Sequence, residues 1–270
     1  MAADHSGPPD LLRAARAAMG GALVYDADIA GERLEALHAN RRAASVRPRR
    51  SARDFVDQTA ARAAGVALSA NAIGDVIRTG VIAALRRRDT AEDMLCEPRT
   101  DIFAPAVAAM ASTALRAEFC SLIASAMDVK RARLLLPAYV DLLRQLSRDE
   151  VSFLRALPPR GRFTPVADLV RQSKSGQIES CARHIVSAKL AGVCETPENL
   201  AQYVDNLMRL GLVARPPGLQ ADDAPYGAIS RRPFVRKLVA ARPQTGGFSF
   251  DRGVIGFTDL GAMFLAACLD

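Results

Sequence analysis

With 270 residues, half of them hydrophobic, the chain is long enough for one large domain or two smaller ones, each with its own core. Only 5% of it is aromatic and Trp is absent; Ala and Leu supply the apolar content, which disfavours a sandwich of β-branched strands and favours close-packed helices. The net charge of +7 permits a polyanionic partner, but apart from Lys130, Lys174, Lys189 and Lys237 it is all Arg, a bias that a GC-rich genome also produces.

Five cysteines, at 96, 120, 181, 194 and 268, show neither CxxC nor the paired spacing of a disulfide framework, so a reducing cytoplasm is expected. The opening MAADHSGPPDLL lacks the basic-then-apolar pattern of a secretory signal. No apolar run approaches the ~20 residues of a transmembrane helix, so no integral membrane segment is expected.

Residues 1–9 read as an unstructured lead-in punctuated by Gly7, Pro8 and Pro9. Asp10 caps a short predicted helix to Met19, ended by Gly20 and Gly21, and a second helix is predicted over Asp28–Asn40. Arg41, Arg42, Arg47, Arg49, Arg50 and Arg53 then surround Pro48 with no acidic residue between them. Such a run is ordinarily a solvated linker, and a basic arm for nucleic acid is the competing reading. From Asp54 to Arg88 an Ala/Gly-rich helical pattern has Gly65, Gly74 and Gly80 for close helix approach and ends on Arg86, Arg87 and Arg88, cations suited to a helix C-terminus. Its small side chains suit a core helix better than a membrane-surface one.

After a break at Pro98 the helical pattern restarts. Leu115, Phe119, Leu122, Ile123 and Met127 recur at three- and four-residue spacing, giving an amphipathic helix to Asp128. Pro137 opens the next helix, with Val140, Leu142, Leu143 and Leu146 as its buried stripe. Ser147 and Glu150 form a capping box for Arg148–Leu157, which Pro158 and Pro159 end.

A separate lobe is predicted to follow. Helices are expected over Val166–Gln172 and Ile178–Gly192, divided by the polar SKSGQ. Thr196 and Pro197 start a helix over Glu198–Leu210, with Leu200, Tyr203, Val204, Leu207 and Met208 on its inner face and Gly211 as its stop. Leu212-Val213 and Val254–Phe257 read as paired strands, and Thr258 caps a last helix to Leu269. The intervening insert, 216–253, is too long for a hairpin loop and holds a predicted helix over Pro233–Ala241. Arg231, Arg232, Arg236, Lys237 and Arg242 flank or lie on that helix and form the candidate polyanion or partner surface; a solvated Arg-rich loop is the plain alternative.

The expected fold is therefore mainly α: a flexible or helical region with a basic linker (1–53), a helical domain (54–146), and a winged-helix-like α+β domain with a short two-stranded wing (147–270).

The blocks EFCSLIASAMD, LPAYVDLLRQLSRDEVSFLRAL, NLMRLGLV, YGAISRRPFVRKL and GFTDLGAMFLAAC occur in an order that resembles the Abi-alpha, or abortive infection alpha, family of bacterial proteins grouped with phage defence. The matching positions are Ala126-Met127-Asp128, Pro137-Ala138-Tyr139-Val140, Asn206-Leu207, Leu210-Gly211-Leu212, and Thr258, Gly261, Phe264 and Cys268. The resemblance runs from about Asp101 onward. Leu136 departs from it, standing where a His or another polar residue is expected. What the resemblance implies is a role in defence, without a chemical mechanism. Read physically, Leu207, Leu210, Leu212 and Phe264 are core positions, and Gly211 and Gly261 are backbone requirements.

Catalytic signals are weak. His5 falls in the lead-in and His38 beside the basic linker. Cys181, His184 and Cys194 would need a fourth ligand to hold zinc, and a Cys181–His184 pair has no third group to orient it. Asp149-Glu150 reads as a helix cap and Asp222-Asp223 as loop. No phosphate-cradling glycine loop or hydrolase elbow is present. No catalytic, cofactor-binding or metal residue is assigned, and no enzyme is expected.

Two functions compete: a non-enzymatic phage-defence protein acting through a protein or nucleic-acid partner, with a homo-oligomer left open, and a winged-helix DNA-binding transcriptional regulator. The helix Glu198–Leu210 discriminates between them. It offers Gln202, Asp205, Asn206 and Arg209, but Glu195 and Glu198 stand at the end that would enter the groove, which disfavours base reading.

Overall fold

The computed structural model describes residues 70–173, 176–241 and 246–269, with positions 54, 56–58 and 61, all within the unit Arg50–Asp270. The expectations on 1–53, on Gly65 and on Arg242 lie outside the described residues.

The helical body is built around one buried helix. Helix α3 (Arg116–Met127) is enclosed from Glu118 to Met127, with α1 (Ala70–Arg87) and α2 (Thr100–Met110) against it. Its Ala, Ser and Cys side chains admit close neighbours. A Cβ at Gly80 of α1 would come within 2.5 Å of the Cys120 sulfur, which is the close helix approach expected at Gly80. Burying a helix on all sides requires partners for its polar groups. Arg88 supplies two of them, donating to the Ser121 carbonyl at 3.0 Å and to Ser125 Oγ at 2.8 Å. Ser125 Oγ donates in turn to the Ala267 carbonyl at 2.7 Å, and Glu118 pairs with Arg155 at 3.1 Å. Of the Arg86–Arg88 triplet, then, Arg87 and Arg88 both reach α3, Arg87 donating to Ser121 Oγ at 3.3 Å.

A short turn of helix, α4 (Val129–Ala132), leads to α5 (Ala138–Arg144) and α6 (Arg148–Ala156). The expected capping box is present: Ser147 Oγ accepts from the Glu150 N–H, and the Glu150 carboxylate accepts from the Ser147 N–H at 2.6 Å.

Directly after α6 the structure departs from the expected helices. Val166–Gln172 and Ile178–Gly192, both read as helices, belong mostly to strands β1 (Thr164–Ser173) and β2 (Ile178–Ile185); only α7 (Ala188–Ala191) is helical there. β1 lies between two neighbours and buries Val166, Ala167 and Leu169, and a short apolar run buried on both faces has no periodicity that separates strand from helix. Helix α8 (Leu200–Arg209) leads through Gly211, at φ +70°, into β3 (Val213–Ala214). β3 pairs with the end of β4 (Gly246–Phe257) at Val213–Phe257 and Ala214–Gly256, as expected for these two segments. β4 extends much further and pairs with the whole of β1, so the sheet is four-stranded and antiparallel, in the order β2-β1-β4-β3. The fold is mixed α+β: helices predominate as expected, but a four-stranded sheet stands where a two-stranded wing was expected.

The insert holds α9 (Asp223–Ser230), α10 (Pro233–Ala240) and most of β4. Tyr226, Ile229 and Val235 of these helices cover Ala167, Leu169 and Ile185 in a small core. The larger core joins α3 and α5 to Leu207, Leu212 and Phe264, and so runs unbroken through residue 147. Thr258 caps α11 (Asp259–Phe264) as expected, accepting from the Gly261 N–H, and a π-helical turn follows at Leu265–Leu269.

Candidate functional site

An irregular local geometry lies on β2. Ala167 pairs with Ile185 and Leu169 with Ala182, so Asp168 alone stands opposite both Arg183 and His184. This is a β-bulge, and His184 adopts φ +51°, a left-handed conformation uncommon outside Gly. Asp168 stabilises it, with Oδ1 accepting the His184 backbone N–H at 2.7 Å. Successive residues of a regular strand point to opposite faces. Here the bulge lets both side chains reach one carboxylate of α8. Arg183 binds Asp205 in two-pronged fashion at 3.0 and 2.5 Å, and His184 Nε2 lies 2.9 Å from Asp205 Oδ1. An ionised carboxylate only accepts, so Nε2 carries the hydrogen. His184 Nδ1 is buried with no hydrogen-bond partner among the described residues, 3.9 Å from Asp168 Oδ1. Asp168 Oδ2 accepts from Arg215 at 2.7 Å, and Arg215 continues to Asp251 at 3.1 Å.

Beside this bulge is a cleft of about 480 Å³. One wall is Ala182–Ile185 of β2; a second is Pro197, Glu198 and the start of α8; Arg232 and Phe234 close the third. Arg232 is half-buried, donates from Nη1 to the Val186 carbonyl at 2.9 Å, and lies over the Phe234 ring at 4.6 Å. Burial pushes its pKa down from the ordinary guanidinium value.

Of the five cationic residues singled out from sequence, the four that are described divide. Arg231, Arg236 and Lys237 are exposed, Arg231 beside Gly227; Arg232 turns to the cleft. Cys181, His184 and Cys194 do not converge. The Cys181 sulfur faces the Glu179 carbonyl and the Cys194 sulfur the Asp149 carbonyl, each at 3.8 Å. Burial, with the Asp149 charge adding to it, pushes the Cys194 thiol up to about 11. Among the described residues no group of three or more His, Cys, Asp or Glu is arranged to hold a metal ion.

The polar face of α8 is engaged within the chain. Asn206 donates to Glu150 at 2.6 Å, Arg209 to Gln145 at 2.9 Å, and the Tyr203 hydroxyl to Asp149 at 2.9 Å. Asp149, read from sequence as half of a cap, also accepts the N–H groups of Glu195 at 2.7 Å and Thr196 at 3.0 Å, fixing the loop before α8. Burial acts to raise its pKa, but these donors override it and hold the carboxyl below its ordinary value. Replacing Asp149 with Ala is expected to cost about 2–4 kcal/mol, since three donors lose their acceptor. A group with a lowered folded pKa stabilises above the unfolded value, about 4, and that contribution fades as the pH falls through the folded one. Urea titrations at neutral and acid pH should show the gap between wild type and Asp149→Ala closing on acidification; a gap independent of pH would contradict this role.

The abortive infection alpha family model matches residues 76–268, which span both the cleft and the bulge. The chain belongs to that family. In this abortive infection alpha chain the motif positions named from the sequence have structural places: Gly211 takes a left-handed turn, Gly261 a close backbone approach, and Phe264 packs edge-on against Tyr139 with ring centroids 5.6 Å apart. Among solved structures, the uncharacterized protein from the hydrocarbon-degrading marine bacterium Alcanivorax borkumensis SK2 is 21% identical with a TM-score of 0.33, over 52% of this chain and 97% of that one. No curated protein matches the chain.

Sequence reasoning missed Asp168, His184 and Asp205 as a set. The available signal was Asp168 itself, a lone charge inside the apolar run VADLV.

Proposed function

We propose that this chain is a bacterial phage-defence protein of the abortive-infection type that acts in the cytoplasm by binding a partner, without catalysis. Membership of the abortive infection alpha family carries the reading. The commitment of Asp149, Asp168, Asp205 and Glu150 to partners within the chain supports binding over general acid–base chemistry, and the raised pKa values of the Cys120 and Cys194 thiols, each about 11 through burial, make them poor nucleophiles. Among the described residues no helix is long and apolar enough to cross a membrane.

A DNA-binding regulator is the second reading, favoured by the β3–β4 pairing between α8 and α11, the order of a winged helix. The in-chain pairing of Asp205, Asn206 and Arg209 and the acidic Glu198 weigh against it. Phage challenge tests the first reading: cells expressing the gene should release fewer progeny phage than cells without it. Equal yields over a broad phage panel would reject defence. Salt-sensitive DNA retention lost in an Arg236→Ala, Lys237→Ala variant would favour the regulator.

A further inference from the structure

The polar groups that line the cleft beside the β2 bulge limit the chemistry it can accept. Arg232 has only a carbonyl on Nη1; its Nε–Nη2 edge, whose two parallel N–H groups match two oxygens of an anion, has no partner among the described residues. No carboxylate pairs with it there, although it is half-buried, whereas Arg183 on the facing wall is already neutralised by Asp205. Water reaches that edge, and a half-buried cation with no counter-charge attracts an anion that can replace the water. His184 lines the same cleft at 6% exposure, but its Nε2–H is taken by Asp205 and its Nδ1 is a buried acceptor 3.9 Å from Asp168, so it supplies shape and leaves Arg232 as the donor for an anion. Leu200 and the exposed face of Phe234 add apolar surface beside these polar groups, the composition of a small-molecule site.

We propose that this cleft binds a small organic anion, its carboxylate or phosphate head on the free edge of Arg232 and its flat apolar body between Leu200 and Phe234. Glu198 stands on the rim and repels the charge, so it limits affinity and excludes dianions more strongly than monoanions. The proposal does not rest on the defence reading, because it concerns binding by the isolated protein.

Calorimetric titration of the full chain with phenyl phosphate, benzoate and neutral benzamide tests it. At least one of the two anions should bind in the millimolar range or tighter and benzamide should not; which anion binds assigns the head group. Arg232→Ala should weaken that binding about tenfold or more, Arg236→Ala should leave it unchanged, and Glu198→Gln should tighten it. Because Arg232 also holds the Val186 carbonyl, its variant is compared by melting curve first; if it fails to fold, the exposed Glu198→Gln carries the test alone. No binding by either anion, equal binding of benzamide, a folded Arg232→Ala that binds as wild type, or a Glu198→Gln that does not tighten would each overturn the proposal.

Discussion

Gly261→Ala is expected to lower stability by about 3–5 kcal/mol, near the top of the range for a single substitution. A Cβ at this position would lie 1.8 Å from the Leu212 carbonyl oxygen and 2.7 Å from its carbon, well inside any permitted contact. The obstacle is backbone, so no rotamer change relieves it. The carbonyl is also held in place, accepting the Thr258 N–H at 3.2 Å as the strand hands over to α11. Accommodating one methyl group means moving α11 off β3, and with it Phe264 and Cys268, both fully buried. Since a domain of this size has a total stability of about 5–15 kcal/mol, the variant should lose much of its margin. Thermal and urea denaturation report this directly. A Gly261→Ala protein melting within about 2 °C of wild type would show that α11 does not dock as described.

Leu143→Asp is expected to leave no folded protein at neutral pH. Leu143 is fully buried in α5, which packs against α2 and α3 at the centre of the helical body. An unpaired carboxylate there costs several kcal/mol beyond the roughly 2–5 kcal/mol of lost packing that Leu143→Ala measures alone. Burial raises the pKa of the introduced carboxyl. The added penalty is therefore small below about pH 4 and grows as the pH rises through the unfolded value. Leu143→Ala should remain folded with a reduced melting temperature, which separates packing from charge. A soluble, cooperatively melting Leu143→Asp protein at neutral pH would contradict the placement of this helix.

The sequence by itself determined the features that depend on neighbouring residues. Ser147 and Glu150 sit three apart and cap α6 because the capping box closes within one turn. Gly211 and Thr258 mark the end of α8 and the start of α11, and the short β3–β4 pairing follows from the strand segments beside them. The Leu-rich stripe of α5 and the spaced apolar residues of α3 foretell burial of one face of each, and the ordered motif blocks foretell the family.

Only the tertiary structure decided the sheet and the cleft. β1 takes its identity from β4, which joins it along its whole length from Thr164–Ile255 to Ser173–Gly246, and no local pattern in VADLV separates a doubly buried strand from a helix. The bulge that turns Arg183 and His184 to one side exists because two residues of β2 face one of β1, and Asp205, which receives them, arrives on α8. Arg232 and Arg236 look alike in sequence, four residues apart on one basic segment. Packing of α10 over β2 half-buries the first against Phe234 and leaves the second in water, and that difference in solvation separates a cleft residue from a surface charge.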